Sequence, residues 1–374
     1  MIRIRASMGA TLALALLFVP GPAGARERWS AERANAWHAA QPWPSGCNYI
    51  TSSAINQLEM WQGDTFDPVA IDRELGWAEG LGFSSVRVFL HDLAWAADRA
   101  GFLARVDQFL VIAERHRVRT LFVFFDSCWD PRPALGRQRG PRPGLHNSGW
   151  VQSPGKALLT DPSRWGDLEE YVKGVVGRFK DDPRVLGWDL FNEPDNTNDS
   201  SYARLEPRDK VARSLQLLGK AYDWARAVDP SQPLTSAVWA GDWDPDRASP
   251  TARLQLAESD VLSFHSYTPI AETWAKLAPL LRMGRPILCT EYMARPVGSR
   301  FDPDLGFYRD RKIGAYNWGF VDGKSQTKFP WDSWKRPYPG EPPVWFHDIL
   351  HADGTPYDPR EVAIIRAFTG KARP

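Results

Sequence analysis

Two segments end in a carboxylate placed where it could do chemistry. Trp188-Asp189-Leu190-Phe191-Asn192-Glu193-Pro194 and Ile287-Leu288-Cys289-Thr290-Glu291-Tyr292 each carry an apolar run straight into a glutamate. An apolar run of that length reads as a buried strand, so its glutamate stands just past the strand's C-terminal end. One such glutamate would be an ordinary loop cap or ion pair. Two on opposite walls of one mouth could divide a reaction at an acetal carbon. One would protonate the leaving oxygen and the other would attack the carbon. Double displacement at a glycosidic bond needs the two carboxyls about 5–5.5 Å apart.

Elements must hold the pair in that position, and the chain contains them. Short apolar runs at 46–50, 85–90, 120–125, 185–191, 234–239, 261–266, 287–290 and 315–318 alternate with helical patterns. Asp67 and Pro68 open a helix whose face is Ile71, Leu75 and Ala78, and Gly82 closes it. Leu103, Val106, Leu110 and Ala113 repeat at helical spacing, as do Leu168, Tyr171, Val172, Val175 and Phe179. Further faces are Val211 to Ala225, Trp274 to Leu281, and Glu361 to Phe368. Strands alternating with helices predict a parallel sheet with crossover helices. Eight of them predict a single (β/α)8 TIM barrel over residues 26–374, with Glu193 ending strand four and Glu291 ending strand seven. An open doubly wound sheet is the alternative, but no Gly-rich phosphate loop follows the first strand. The connections after strands three and eight, 127–160 and 319–359, are unusually long. In a barrel such loops build the active face, and loops of this length usually serve function. They are expected to rise on either side of the mouth. There they would narrow the cleft to a pocket or short groove suited to short oligosaccharides or chain ends.

On these segments the chain resembles glycoside hydrolase family 5, cellulase- and mannanase-like, or a near neighbour in the same clan of retaining (β/α)8 enzymes. The resemblance spans nearly the whole chain after residue 25. It implies that Asn192-Glu193-Pro194 holds the acid/base and Thr290-Glu291-Tyr292 the nucleophile. It implies further that Arg87, in Val86-Arg87-Val88, bonds the nucleophile. Phe264-His265-Ser266-Tyr267 matches a His-x-Tyr pair flanking the glutamates, and Trp318 matches an aromatic platform under the reacting sugar. Physical roles fit these positions. Arg87 would favour ionised Glu291 by opposite charge. Tyr267 could donate to the nucleophile, Asn192 could bond the sugar 2-OH, and His265 could bond Glu193 or substrate. One departure stands out. The family usually presents a histidine near the end of strand three, where this chain reads Phe124-Phe125-Asp126-Ser127. Asp126, His91 or His146 are the candidates to replace its sugar contact. Trp129 and Trp150 in the first long loop, and Trp331 and Trp334 in the second, are candidates for sugar platforms or for loop packing. Gln57-Leu58-Glu59-Met60-Trp61 resembles some mannan- and glucan-active members.

The reaction so implied is retaining hydrolysis of β-linked gluco- or manno-configured oligo- or polysaccharides, with no cofactor. A transglycosylase with the same covalent intermediate and an inactive carbohydrate-binding barrel are the alternatives. The other sequence features fit this expectation. The 374 residues include 18 Trp, whose faces suit sugar rings as well as cores. With 46 basic and 45 acidic residues there is no basic stripe, which argues against a nucleic-acid partner. Residues 1–25 read as a signal peptide: Arg3 and Arg5, an apolar run from Ala10 to Val19, then Ala23-Gly24-Ala25 before Arg26. Its removal would take the formal net charge from +1 to −1 and leave a secreted or periplasmic protein, expected to be monomeric and free of the membrane. Cys47, Cys128 and Cys289 are odd in number, so they cannot all pair within one chain. Asp195, Thr197, Asp199 and Glu206 fall at calcium-loop offsets, but Ser200 occupies the turn-glycine position, so a solvated loop is expected and no metal.

Overall fold

The computed structural model describes residues 27–371; the expected signal peptide, 1–25, lies outside them. Its eight strands are β1 (Ser45–Asn48), β2 (Ser85–Phe89), β3 (Arg119–Asp126), β4 (Val185–Asn192), β5 (Leu234–Thr235), β6 (Leu262–His265), β7 (Ile287–Tyr292) and β8 (Gly314–Asn317). All paired neighbours are parallel, in the order β5-β4-β3-β2-β1-β8-β7-β6. Contacts from β5 and from the residues after it close the ring onto β6. Val238 bridges to Phe264 in parallel, donating to the Ser263 carbonyl at 3.0 Å and accepting from the His265 N–H at 2.9 Å. The strand expected over 234–239 is therefore a two-residue strand followed by an isolated bridge.

Helices cover the outside in the places their apolar faces predict. Asp67 accepts from the Ala70 N–H and opens the helix Pro68–Leu81, which Gly82 ends at φ +78°. That left-handed conformation is costly for a residue with a Cβ. Arg99–Arg115, Trp165–Phe179, Lys210–Ala227, Ile270–Arg282 and Pro359–Thr369 contain the other expected faces, and Phe301–Asp310 fills the least patterned interval, between β7 and β8. Among the described residues no helix is long and apolar enough to cross a membrane.

The barrel interior is layered along its axis. At the N-terminal end Leu121, Leu186, Val261, Leu288 and Tyr316 form an apolar cluster, plugged by Trp37 from the helix Ala31–Ala39. Above it comes a polar layer with Asn48, Arg87 and Asp189. Above that, Phe89, Val123, Trp150 and Trp318 form an aromatic cluster under the mouth. Period-two alternation produces the layers: Ser85, Arg87 and Phe89 of β2 point inward in turn.

Candidate active site

Arg87 lies at the centre of the polar layer, fully buried. Its Nη1 donates to Glu291 Oε1 at 2.8 Å and to Asn48 Oδ1 at 2.8 Å. Its Nη2 donates to Asp189 Oδ2 and Asn192 Oδ1, each at 2.8 Å, and its Nε donates to Asp189 Oδ2 at 3.0 Å. Burial works against the guanidinium's charge, but Asp189 and Glu291 outweigh it and hold Arg87 fully protonated. One residue of β2 thus ties together β1, β4 and β7, and fixes Glu291 and Asn192 relative to each other.

Glu193 leaves β4 with φ +45°, a left-handed conformation that costs an ordinary residue roughly 1–2 kcal/mol. The turn aims its side chain back over the barrel. There Oε1 lies 2.9 Å from His265 Nδ1, and Oε2 accepts from Asn196 Nδ2 at 2.7 Å and from the Cys128 thiol at 3.3 Å. Glu291 Oε2 accepts from Tyr267 Oη at 2.7 Å. Ligand atoms of Glu193, His265 and Glu291 all lie within 4.8 Å of one another. Those three donors are also the ones a metal ion could use. Arg87 already places a fixed positive charge on Glu291 Oε1, which an added cation would have to share.

The two carboxyls are not equivalent. Burial raises the pKa of both, Glu193 at 7% exposure and Glu291 at 5%. At Glu291, Arg87 and Tyr267 oppose that rise. His265 would help only as a cation, and burial holds its pKa down to about 4, so near neutrality the imidazole is uncharged. Glu193 has weaker support for its anion: an amide, a thiol and a neutral ring. Arg87 and Tyr267 thus favour the charged form of Glu291 more than the neighbours of Glu193 favour its own. Arg87 was expected to lower the Glu291 pKa. Its contribution has that sign, but burial exceeds it.

A cavity of about 730 Å³ opens above the pair. Glu193, Glu291, Asn192, His265, Tyr267 and Trp318 all line it, as do Trp129, His146 and Trp331. Trp318 rests edge-on against Phe89 and Trp150, which fixes the plane of its ring. Three expected sugar contacts lie elsewhere. His91 is fully buried, and its Nδ1 accepts from the Leu93 N–H to cap the helix Asp92–Ala97. Asp126 is buried beneath the site with its oxygens taken by the Cys128 N–H, Asn192 Nδ2, Trp150 Nε1 and Gln57 Nε2. Trp150 is 2% exposed and serves Asp126 and Trp318 from below. Of the three candidates for the missing strand-three histidine, only His146 reaches the cavity. Gln57–Trp61 is a short helix behind the wall.

Several contributors carried no legible signal in the sequence. Asn48 and Asp189 brace Arg87 and belong to strands with no motif at those positions. Cys128 and Asn196 bond Glu193. Trp239 lines the cavity with its Nε1 donating to Asp195 Oδ1 at 2.6 Å. Cys47, Cys128 and Cys289 are all free thiols. The calcium-like offsets are occupied otherwise: Thr197 bonds Asp199, and Glu206 accepts from Lys210, Asn198 and Gln152.

No family model matches the chain, and no curated protein matches it. Solved structures do. A variant of GH5_18 from Streptomyces cattleya, in complex with Manβ1-4GlcNAc, superposes with a TM-score of 0.53 at 14% identity, covering 87% of this chain and 79% of that one. An exo-β-1,4-mannosidase from Opitutaceae bacterium strain TAV5 gives 0.53 at 18% identity; the match takes in 88% of this chain but only 60% of the mannosidase. A β-1,4-mannanase from the sea hare Aplysia kurodai gives 0.50 at 16% identity, covering 73% and 87%. At these identities the likeness establishes the (β/α)8 barrel, and the chemistry rests on the site.

Proposed function

We propose that this protein is a retaining β-glycoside hydrolase of the family 5 type, acting on β-linked manno- or gluco-configured sugars. The observation that carries the proposal is the convergence of Glu193 and Glu291. Their oxygens approach within 4.8 Å at the C-terminal ends of β4 and β7, each with its own set of partners. A separation near 5 Å leaves no room for the water that an inverting enzyme places between carboxyl and sugar, and suits direct attack. Glu291, anionic and held by Arg87 and Tyr267, attacks the anomeric carbon. Glu193, protonated, gives its proton to the leaving oxygen and then takes one from the incoming water. Trp318 supports the ring, and Asn192, fixed by Arg87 and Asp126, lines the cavity beside Glu193. The structural neighbours that bear mannosidase and mannanase names favour a manno-configured substrate.

The test is covalent. A 2-deoxy-2-fluoro β-glycosyl fluoride should label the protein stoichiometrically, and peptide mapping should place the sugar on Glu291. A first-formed α-anomer in proton NMR of early product would overturn retention. We extend the proposal to location: residues 1–25 act as an export signal, and N-terminal sequencing of the exported protein should begin at Arg26.

A further inference from the structure

The loops around the mouth are unequal. The segments after β8 and after β3 were expected on either side of the mouth; instead they are joined. In the closed ring only β1 and β2 separate those two strands, so their long loops meet above that half of the barrel. Trp129 stacks on Trp334 with ring centres 5.3 Å apart. Trp334 Nε1 donates to the His146 carbonyl at 2.8 Å, and His146 Nδ1 lies 2.8 Å from the Phe329 carbonyl. The Asn147 N–H donates to the Ser325 carbonyl at 3.0 Å, and the Tyr338 N–H to the Gly144 carbonyl at 3.0 Å. Gly144 has φ +71°, and a Cβ there would lie 1.9 Å from the Tyr338 carbonyl oxygen, so the two loops touch backbone to backbone.

The segment after β1 joins the same wall. The Lys324 N–H donates to the Ser52 carbonyl, and Asn56 Nδ2 to the Gly149 carbonyl. The segment after β4 extends it. Asn198 Oδ1 accepts from the Trp129 N–H at 2.7 Å, and the buried Lys210–Glu206 pair, 2.7 Å apart, locks that segment to the Ser127 carbonyl. The rim after β5 to β7 is tied more sparsely: Trp239 bonds Asp195, Tyr267 packs edge-on against Trp331, and Arg295 donates to the Trp345 and Asp348 carbonyls at the base of the β8 loop. There the cavity is edged by half-buried Trp239 and by exposed Ala240, Lys276 and Val297.

The wall runs from Trp318 at the end of β8 round to the segment after β4, and the gap lies between Trp239 and Val297. Glu193 must face the leaving oxygen, and it sits at the end of β4, next to the segment carrying Asp195 and the Trp239 that Asp195 holds. The attacked sugar therefore lies over Trp318, against the wall, and the leaving group points to the open rim. From this we infer that the site is a blind-ended pocket. It takes one sugar at the non-reducing end of a β-linked chain and releases it as a monosaccharide, while the remaining chain leaves over Trp239. A polymer crossing the mouth would need an exit where the joined loops stand. The inference rests on the glycosidase reading of Glu193 and Glu291.

The experiment separates the two levels. Turnover of 4-nitrophenyl β-mannoside or β-glucoside, with labelling of Glu291, tests the underlying reading; absence of both defeats that reading and the pocket with it. Given turnover, β-1,4-linked manno- and gluco-hexaoses reduced to alditols with borohydride are digested and sampled early. The expected products are monosaccharide and the pentaose alditol alone, and mannan or glucan solutions keep their viscosity. Early di- or trisaccharides, or an early fall in viscosity, overturn the pocket while leaving the chemistry intact. Turnover of aryl glycosides without cleavage of either hexaose overturns the assignment of a sugar chain to the open rim. Trp334 lies outside the cavity lining and supports Trp129 from behind; Trp334→Ala removes the stack that joins the loops and should bring internal cuts among the early products. If that variant does not fold, the product pattern of the unaltered protein still decides.

Discussion

Replacing Glu193 by alanine should separate two classes of substrate by several orders of magnitude. General acid catalysis is worth about 10²–10⁴-fold. The surroundings of Glu193 point to the upper end, because its bonded neighbours cannot take over the proton transfer. Burial pushes the Cys128 thiol well above its ordinary pKa, with Glu193 adding to the rise, so it does not release a proton. Burial holds His265 down to about 4, so near pH 7 its ring carries no acidic proton. Asn196 does not titrate. Loss of Glu193 should thus cost the first step about 10⁴-fold on an alkyl or sugar leaving group, equivalent to about 5.4 kcal/mol of activation free energy. A dinitrophenolate leaves without a proton, so the first step on a dinitrophenyl glycoside should be largely spared. The second step still lacks its base. The glycosyl enzyme should accumulate and give a burst of dinitrophenol equal to the enzyme concentration, followed by slow turnover. Azide needs no base and should accelerate that turnover, yielding the β-glycosyl azide after two inversions. Stopped-flow absorbance and NMR of the product read both. An α-azide would exchange the roles of the two glutamates. Equal losses on both substrates, with no burst and no azide effect, would remove Glu193 as acid/base.

Tyr267→Phe removes one bond to the Glu291 carboxylate, worth about 1.5–3 kcal/mol for a charged acceptor, so kcat should fall about 10- to 150-fold with the fold unchanged by circular dichroism. Arg87→Met leaves Asp189 and Glu291 buried without their cation; it should cost about 3–5 kcal/mol of stability in a denaturant titration. A variant as stable as the original would show the network to be dispensable. The Cys128 thiol stabilises the Glu193 anion, so Cys128→Ala should raise the Glu193 pKa and move the basic limb of the kcat/KM profile to higher pH; movement to lower pH would reverse the assignment. Burial holds His146 at about 4 in the fold against about 6.5 in the unfolded chain, so between those pH values the unfolded state binds the extra proton. The stability this residue contributes is present above about pH 6.5 and lost as pH falls toward 4. His146→Gln should flatten that part of the Tm–pH curve, and an unchanged slope would refute it.

Local patterning was enough to place Glu193 and Glu291. A buried strand needs a run of apolar residues, and the first polar residue after the run must stand at its rim. The same logic located the helix Pro68–Leu81 from Asp67, Pro68 and Gly82, because caps and left-handed ends are satisfied by residues next to them. It also marked 127–160 and 319–359 as long loops on the face that carries the glutamates. Partnership across the barrel was a different matter. Asp189 and Asn48 brace Arg87 from other strands, and Asp126 spends its oxygens on four donors drawn from three segments. His91 looked available for a sugar and instead caps a helix from inside the core. Whether the two long loops oppose or join depended on β8 and β3 lying with only two strands between them in the closed ring. Spacing along a chain reports which residues share a strand or a helix face. Hydrogen-bond partners and neighbouring loops are chosen by ring closure, which brings together residues one to two hundred positions apart, such as Arg87 with Asp189 and Glu291.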